Sequence, residues 1–206
     1  MTTYAIIGSG AIGGALATQF ARRGIDVLIA NARGPSSLAV LTRTLGPSVR
    51  ASTVADALRA DVVVLAVPFN AVPDVVRQGG SWDGRIVVDA TNAVAFPAFQ
   101  PSDLGGRLST EVVSDAVPGA RVVKAFNTLP AAILASDPEQ HGGRRVLFVS
   151  GNDSDANAAI GALGERLGFA AIVLGALREG GRPQQFGGAL VALDLVKQPA
   201  PTRRAH

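Results

Sequence analysis

Three glycines near the amino terminus, Gly8, Gly10 and Gly13, stand in the spacing G-x-G-x-x-G, with Ser9, Ala11 and Ile12 between them. This spacing suits binding of a diphosphate. Gly8 permits a tight turn, Gly10 removes a side chain where backbone must approach the pyrophosphate, and Gly13 lets a following helix pack closely on the preceding strand. A helix opening at this point turns free N–H groups and its positive dipole end toward the phosphates. The alternative is a glycine-rich turn that binds nothing.

A second group follows about 20 residues on, where an acid would hold a ribose 2′-hydroxyl. The chain instead reads Ala30-Asn31-Ala32-Arg33-Gly34-Pro35-Ser36-Ser37. No carboxylate repels a 2′-phosphate there. Arg33 can pair with one through charge-assisted bonds, and Asn31 and Ser36 can add hydrogen bonds. The two groups together point to NADP(H), weighed against a solvated arginine beside a capped helix.

These residues need strands and helices to position them, and the pattern supplies both. Short apolar runs at 3–7, 26–30, 49–51, 62–66, 85–89, 121–125, 145–150 and 170–174 read as strands. Helical patterns lie between them at 11–23, 35–44, 53–60, 70–78, 130–135 and 153–167, with a last helix expected at 185–196. The alternation implies an α/β chain of Rossmann type, a doubly wound parallel sheet with helices on both faces and a small C-terminal extension. Residues 1–150 are expected to form the nucleotide-binding domain and 151–197 a small α/β portion packed on it. The stretch 93–110 reads as a loop and 198–206 as a disordered tail.

In such sheets ligands sit outside the carboxyl ends of the strands. That places Ala66-Val67-Pro68, Ala90-Thr91-Asn92 and Ala125-Phe126-Asn127 on one rim. Small residues at 66 and 90 leave room for ribose and nicotinamide, and Asn92 and Asn127 can hold a carboxamide, although asparagine also favours turns. Lys124 reads equally as a solvated strand-end lysine or an anion ligand. Arg178, Glu179 and Arg182 line a second-substrate pocket or form a surface ion pair. Phe96, Phe99 and Phe126 offer rings for stacking, or pack in the core. His141 sits beside two glycines and reads as a surface residue.

Composition narrows the classes. The 206 residues are 48% hydrophobic and 17% charged, with no cysteine and two histidines. Disulfides and thiolate chemistry are excluded, and a metal centre is not expected. A net charge of +3 without an aromatic-interleaved basic stripe points away from nucleic acid. No leader or membrane-length apolar run is seen, so a cytoplasmic protein without membrane attachment is expected.

The blocks Ile7-Gly8-Ser9-Gly10-Ala11-Ile12-Gly13-Gly14, Asn31-Ala32-Arg33-Gly34-Pro35, Val88-Asp89-Ala90-Thr91-Asn92 and Val123-Lys124-Ala125-Phe126-Asn127-Thr128 carry a resemblance. They resemble the NADP-dependent oxidoreductases of the coenzyme F-420 (deazaflavin) type, and are similar to the cytosolic domains of six-transmembrane metalloreductases. The resemblance implies a compact Rossmann domain with NADPH along the carboxyl edge of its sheet. It also implies hydride transfer by positioning, without a catalytic acid or base, to a small-molecule redox coenzyme (F-420 or a flavin), and a homodimer. Two other readings stay open: reduction of a small organic substrate, and a non-enzymatic NADP(H)-binding sensor.

Overall fold

A computed structural model describes residues 1–199. The chain opens with β1 (Tyr4–Ile7), α1 (Ala11–Arg22), β2 (Val27–Ala30), α2 (Ala39–Leu45), β3 (Val49–Ala51), α3 (Val54–Ala57), β4 (Val62–Leu65), α4 (Val72–Val76) and β5 (Ile86–Asp89). A two-stranded ribbon follows, β6 (Val94–Ala95) and β7 (Gln100–Pro101), then α5 (Ser109–Ala116) and β8 (Arg121–Ala125). The remainder is α6 (Ala131–Ala135), β9 (Glu139–Gln140), β10 (Gly143–Gly151), α7 (Ser154–Arg166), β11 (Ala170–Val173), α8 (Arg182–Gln184) and β12 (Val196–Lys197).

The main sheet has the order β11-β10-β8-β5-β4-β1-β2-β3. From β3 to β8 every neighbouring pair is parallel. Alternate residues feed two cores, as a period of two requires. Ile6, Val64, Val88 and Val123 meet Leu16 and Phe20 of α1 and Ile160 of α7 on one face. Ile7, Val63, Leu65 and Val87 meet Val54, Val72, Val76 and Val113 on the other. Side chains start two of the helices. Thr53 accepts the Asp56 N–H at 3.1 Å before α3, and Asp153 accepts the Ala156 N–H at 2.7 Å before α7.

Three sequence expectations are corrected. The later strands extend the sheet, but β10 runs against β8, with Val149 opposite Ala125 and Gly151 opposite Val123. A parallel neighbour needs a crossover over one face, usually a helix. Here the connection's one helix is the five-residue α6, anchored beside α1 by Gln19 Nε2, which donates to Leu134 O at 2.5 Å. The expected loop 93–110 contains the β6–β7 ribbon and the first residues of α5. The expected helix 185–196 is absent: the chain leaves α8 at Gln184, and Gly187 adopts φ 85°. Glycines at 187 and 188 make helix continuation costly, and apolar periodicity alone concealed that. Of the expected tail, residues 200–206 lie outside the described residues, while Gln198 and Pro199 are exposed.

One row of the sheet is ionic. Asp89 and Lys124 face each other in register at the ends of β5 and β8, and both side chains are fully buried. Lys124 Nζ donates to Asp89 Oδ2 at 2.9 Å and to Thr91 O at 3.1 Å. The Asp89 carboxylate also accepts the Thr110 hydroxyl at 2.6 Å, the Thr91 hydroxyl at 2.6 Å and the Thr91 N–H at 2.9 Å. Burial pushes the Asp89 carboxyl upward, but the Lys124 charge and these hydrogen bonds together outweigh it and hold the group below its ordinary range.

Removing one buried charge strands the other. Asp89→Asn is therefore expected to destabilise the fold by about 3–5 kcal/mol in urea titrations. The depressed carboxyl also sets an acid limit: its contribution is complete above about pH 4 and is lost as pH falls through the lower folded-state value. Urea titrations of the unsubstituted chain from pH 6 to pH 2 check this. A stability that stays flat through that range would contradict an ionised Asp89.

Candidate functional site

The carboxyl ends of β1, β4 and β5 open onto one cleft of about 730 Å³. Ala11 and Ile12 form one wall, Ala66, Val67 and Pro68 the next, and Ala90, Thr91 and Asn92 the floor. Phe96 and Phe99 of the β6–β7 ribbon overhang it, with 76% and 63% of their surfaces exposed. Among the described residues, no ionisable side chain lines this cleft.

The three glycines divide into two kinds. Gly8 adopts φ 109°, and a Cβ there would collide with the Ala66 carbonyl at the end of β4. A Cβ on Gly13 would strike the Gly8 carbonyl. Both are demanded by the fold's own packing. Gly10 has an ordinary φ of −73°, and a Cβ there would meet nothing within 4 Å. The protein therefore gives no steric reason for glycine at 10, whereas a pyrophosphate approaching the first turn of α1 does. That turn carries neither an acidic residue nor a side-chain cap, so its amides remain open to an anion.

Beyond the turn, Asn31 organises the loop after β2. Its Nδ2 donates to Ser9 Oγ at 2.8 Å, and its Oδ1 accepts the Arg33 N–H at 2.9 Å and the Ser37 hydroxyl at 3.1 Å. The loop is thus fixed to the glycine turn, with Arg33 exposed beside it. Arg33 forms no ion pair among the described residues. Ser36 is exposed as well, and Ser37 rather than Ser36 makes the bond to Asn31.

The rim residues of β8 lie elsewhere than the sequence pattern placed them. Ala125 and Phe126 are buried in the core beneath the cleft rather than lining it. Phe126 takes φ 62°, which turns the chain as it leaves the strand. Asn127 and Asn92 do come together, but on one another. Asn127 Nδ2 donates to Asn92 Oδ1 at 3.0 Å, and Asn92 Nδ2 returns a bond to Asn127 O at 2.9 Å. Asn127 Nδ2 also donates to Gln184 O at 2.7 Å, while its Oδ1 is buried without a partner. Asn92 alone of the two lines the cleft.

Lys124 is neither solvated nor free to bind a ligand, being committed to Asp89. Arg178 pairs with Glu179 at 3.4 Å on the surface, and His141 is exposed in the turn before β10.

Asp89 and Gln184 were not expected to matter. Gln184 is fully buried, and its Nε2 donates to Lys124 O and Phe148 O, each at 3.2 Å, while its Oε1 accepts the Ser150 hydroxyl. It ties the C-terminal segment to the ionic row. A signal for Asp89 was present in the sequence. Asp89-Ala90-Thr91-Asn92 and Lys124-Ala125-Phe126-Asn127 repeat one pattern, a charge, an alanine, a spacer and an asparagine, with opposite charges.

Comparison with known proteins follows this geometry. Residues 3–93 match the family model described as NADP oxidoreductase, coenzyme F420-dependent. A solved hypothetical protein from Sinorhizobium meliloti is 60% identical, covers 96% of this chain and 97% of its own, and superposes with a TM-score of 0.94. A candidate F420-dependent NADP reductase from Arthrobacter sp. FB24 is 25% identical over 96% of this chain and 100% of its own, with a TM-score of 0.77. A curated NAD(P)+ glycerol-3-phosphate dehydrogenase from Rhizobium etli is 29% identical over 94% of this chain, which spans 66% of that relative's length.

Two substitutions test the dinucleotide geometry. Gly10→Val should leave the melting temperature within a few degrees while abolishing NADPH binding by calorimetry; unchanged affinity refutes the pyrophosphate role. Arg33→Ala should weaken NADPH by roughly 10- to 100-fold, the loss of a charge-assisted contact, and leave NADH nearly unaffected. Equal affinity of the unsubstituted chain for the two cofactors would rule out the phosphate clamp.

Proposed function

We propose that the chain, whose residues 3–93 match the NADP oxidoreductases of the coenzyme F420-dependent type, passes a hydride between NADP(H) and a deazaflavin (F-420) or flavin. The residues fit the dinucleotide. The open first turn of α1 and the bare backbone at Gly10 would hold the pyrophosphate, and Arg33 beside the Asn31 loop the 2′-phosphate. Ala66 and Ala90 leave the space a ribose and nicotinamide need at the strand ends. When bound, the nicotinamide supplies or accepts the hydride.

One observation carries the choice of acceptor class. Among the described residues, the cleft walls hold no ionisable side chain. Reduction of a carbonyl or imine needs a proton at the reacting heteroatom, commonly from a positioned acid. Tyr4, the chain's single tyrosine, begins β1 and so lies at the opposite edge of the sheet from the cleft. Hydride transfer between two planar ring systems needs alignment and exclusion of water, and solvent can supply the proton that completes the acceptor's reduction. Phe96 and Phe99 at the mouth offer apolar ring surface for such a partner, their centroids 5.9 Å apart.

The decisive assay mixes purified protein and NADPH with F-420, and separately with a flavin, while following the absorbance of both partners. Equimolar loss of NADPH and acceptor is expected with one of them. NADPH binding without reduction of either would overturn the proposal and favour a sensor.

A further inference from the structure

We propose that a second, polar pocket beside the cleft receives a phosphoryl group carried by the hydride acceptor. This inference rests on the reading above that an acceptor occupies the cleft. The pocket measures about 160 Å³ and lies between the segment from Ser102 to Ser109 and the residues that follow α8. Ser102 lines both spaces, so a molecule seated over Ala90 and Thr91 can extend an arm from one into the other.

One buried hydroxyl at this pocket lacks a partner. Ser109 is 2% exposed, and among the described residues its hydroxyl makes no hydrogen bond. A buried hydroxyl left unpaired is costly, and a ligand oxygen would satisfy it. The Ser109 N–H, at the first turn of the eight-residue α5, donates to Gln185 Oε1 at 3.2 Å, which orients the Gln185 amide with its own N–H groups still to donate. Arg182 is exposed at the pocket wall and, among the described residues, pairs with no acid.

Two further charged residues line the pocket. Arg107 pairs with Asp115 at 2.7 Å, and Asp103, whose Oδ1 accepts the Gly105 N–H at 2.9 Å, keeps a negative charge that Arg182 must offset for an anion to bind. Arg182, Gln185, Ser102 and Ser109 thus bring several donors from two segments of the chain to one space. That arrangement suits a tetrahedral group with several acceptor oxygens better than a planar carboxylate, which a single guanidinium fork matches.

Riboflavin and FMN differ only in a terminal phosphate, and they provide the test. Affinity is read from flavin fluorescence quenching with and without NADP+, and kcat/KM from NADPH oxidation where turnover occurs. FMN should be favoured about tenfold. Arg182→Ala, at an exposed position, and Ser109→Ala should each bring the FMN-to-riboflavin ratio toward one, and inorganic phosphate should compete with FMN. A ratio near one in the unsubstituted chain, or a ratio that survives both substitutions, overturns the proposal. So does inorganic phosphate that binds without narrowing the gap, since the pocket would then serve free phosphate alone. NADPH calorimetry on the same samples keeps the two readings apart. Its failure sinks the dinucleotide assignment, whereas the flavin ratio is measured on the chain alone as well.

Discussion

A lysine and an aspartate, both wholly withdrawn from water, face each other where β5 and β8 end, and the architecture around the site is arranged to satisfy them. Two such charges are tolerable in a core only when their remaining hydrogen-bonding capacity is met. Thr110 of α5, Thr91 of the cleft floor and the Thr91 carbonyl provide that capacity. Each of these partners is thereby held in place. The floor of the cleft is fixed by the need to satisfy Asp89, and α5 is drawn to the sheet by the same carboxylate. Gln184 extends the arrangement by bridging Lys124 O to Phe148 O, so the C-terminal segment is anchored to the parallel sheet and to the antiparallel strand beyond it.

The glycine turn illustrates a separate constraint. At Gly8 and Gly13 the backbone itself leaves no room for a side chain, so these residues report on how strand, turn and helix meet. Gly10 and the open amides behind it have no such internal cause. A motif commonly treated as one signature thus contains two fold requirements and one position that the fold's own packing leaves free. The last is the informative part, because a chain that kept only the fold could place any small residue there.

Much of this was legible in the sequence because it depends on local pattern. Period-two apolar runs and intervening helices located the parallel core, and the glycine spacing located the turn. What escaped depended on pairing across distance. The antiparallel course of β10 follows from a connection whose only helix is too short to cross the sheet, a fact that hydrophobic periodicity does not encode. Phe126 and Asn127 were assigned to the cleft from their place at a strand end, but a left-handed residue follows β8 and sends the chain back toward Gln184. The helix expected after residue 185 rested on apolar spacing that the paired glycines at 187 and 188 override. Lys124 read equally as a solvated lysine or an anion ligand because its partner lies 35 positions away. Only the repetition of charge, alanine and asparagine in two blocks hinted that the strands would align them.

Charge is distributed unevenly around the carboxyl edge, and the distribution has a chemical consequence. The ionic row lies sealed beneath the floor, Arg33 stands at one end of the dinucleotide path, and Arg182 stands beyond the other side of the cleft. Between them the walls are alanine, valine, proline and phenylalanine with neutral amides and hydroxyls. Fixed charge next to a transferring hydride would favour one redox state of the ring pair over the other, since oxidised and reduced nicotinamide differ by a unit of charge. In the proposed exchange a neutral centre with an arginine on either side would add no such bias to the bound ring pair, while the overall direction follows from the potentials of the two free partners.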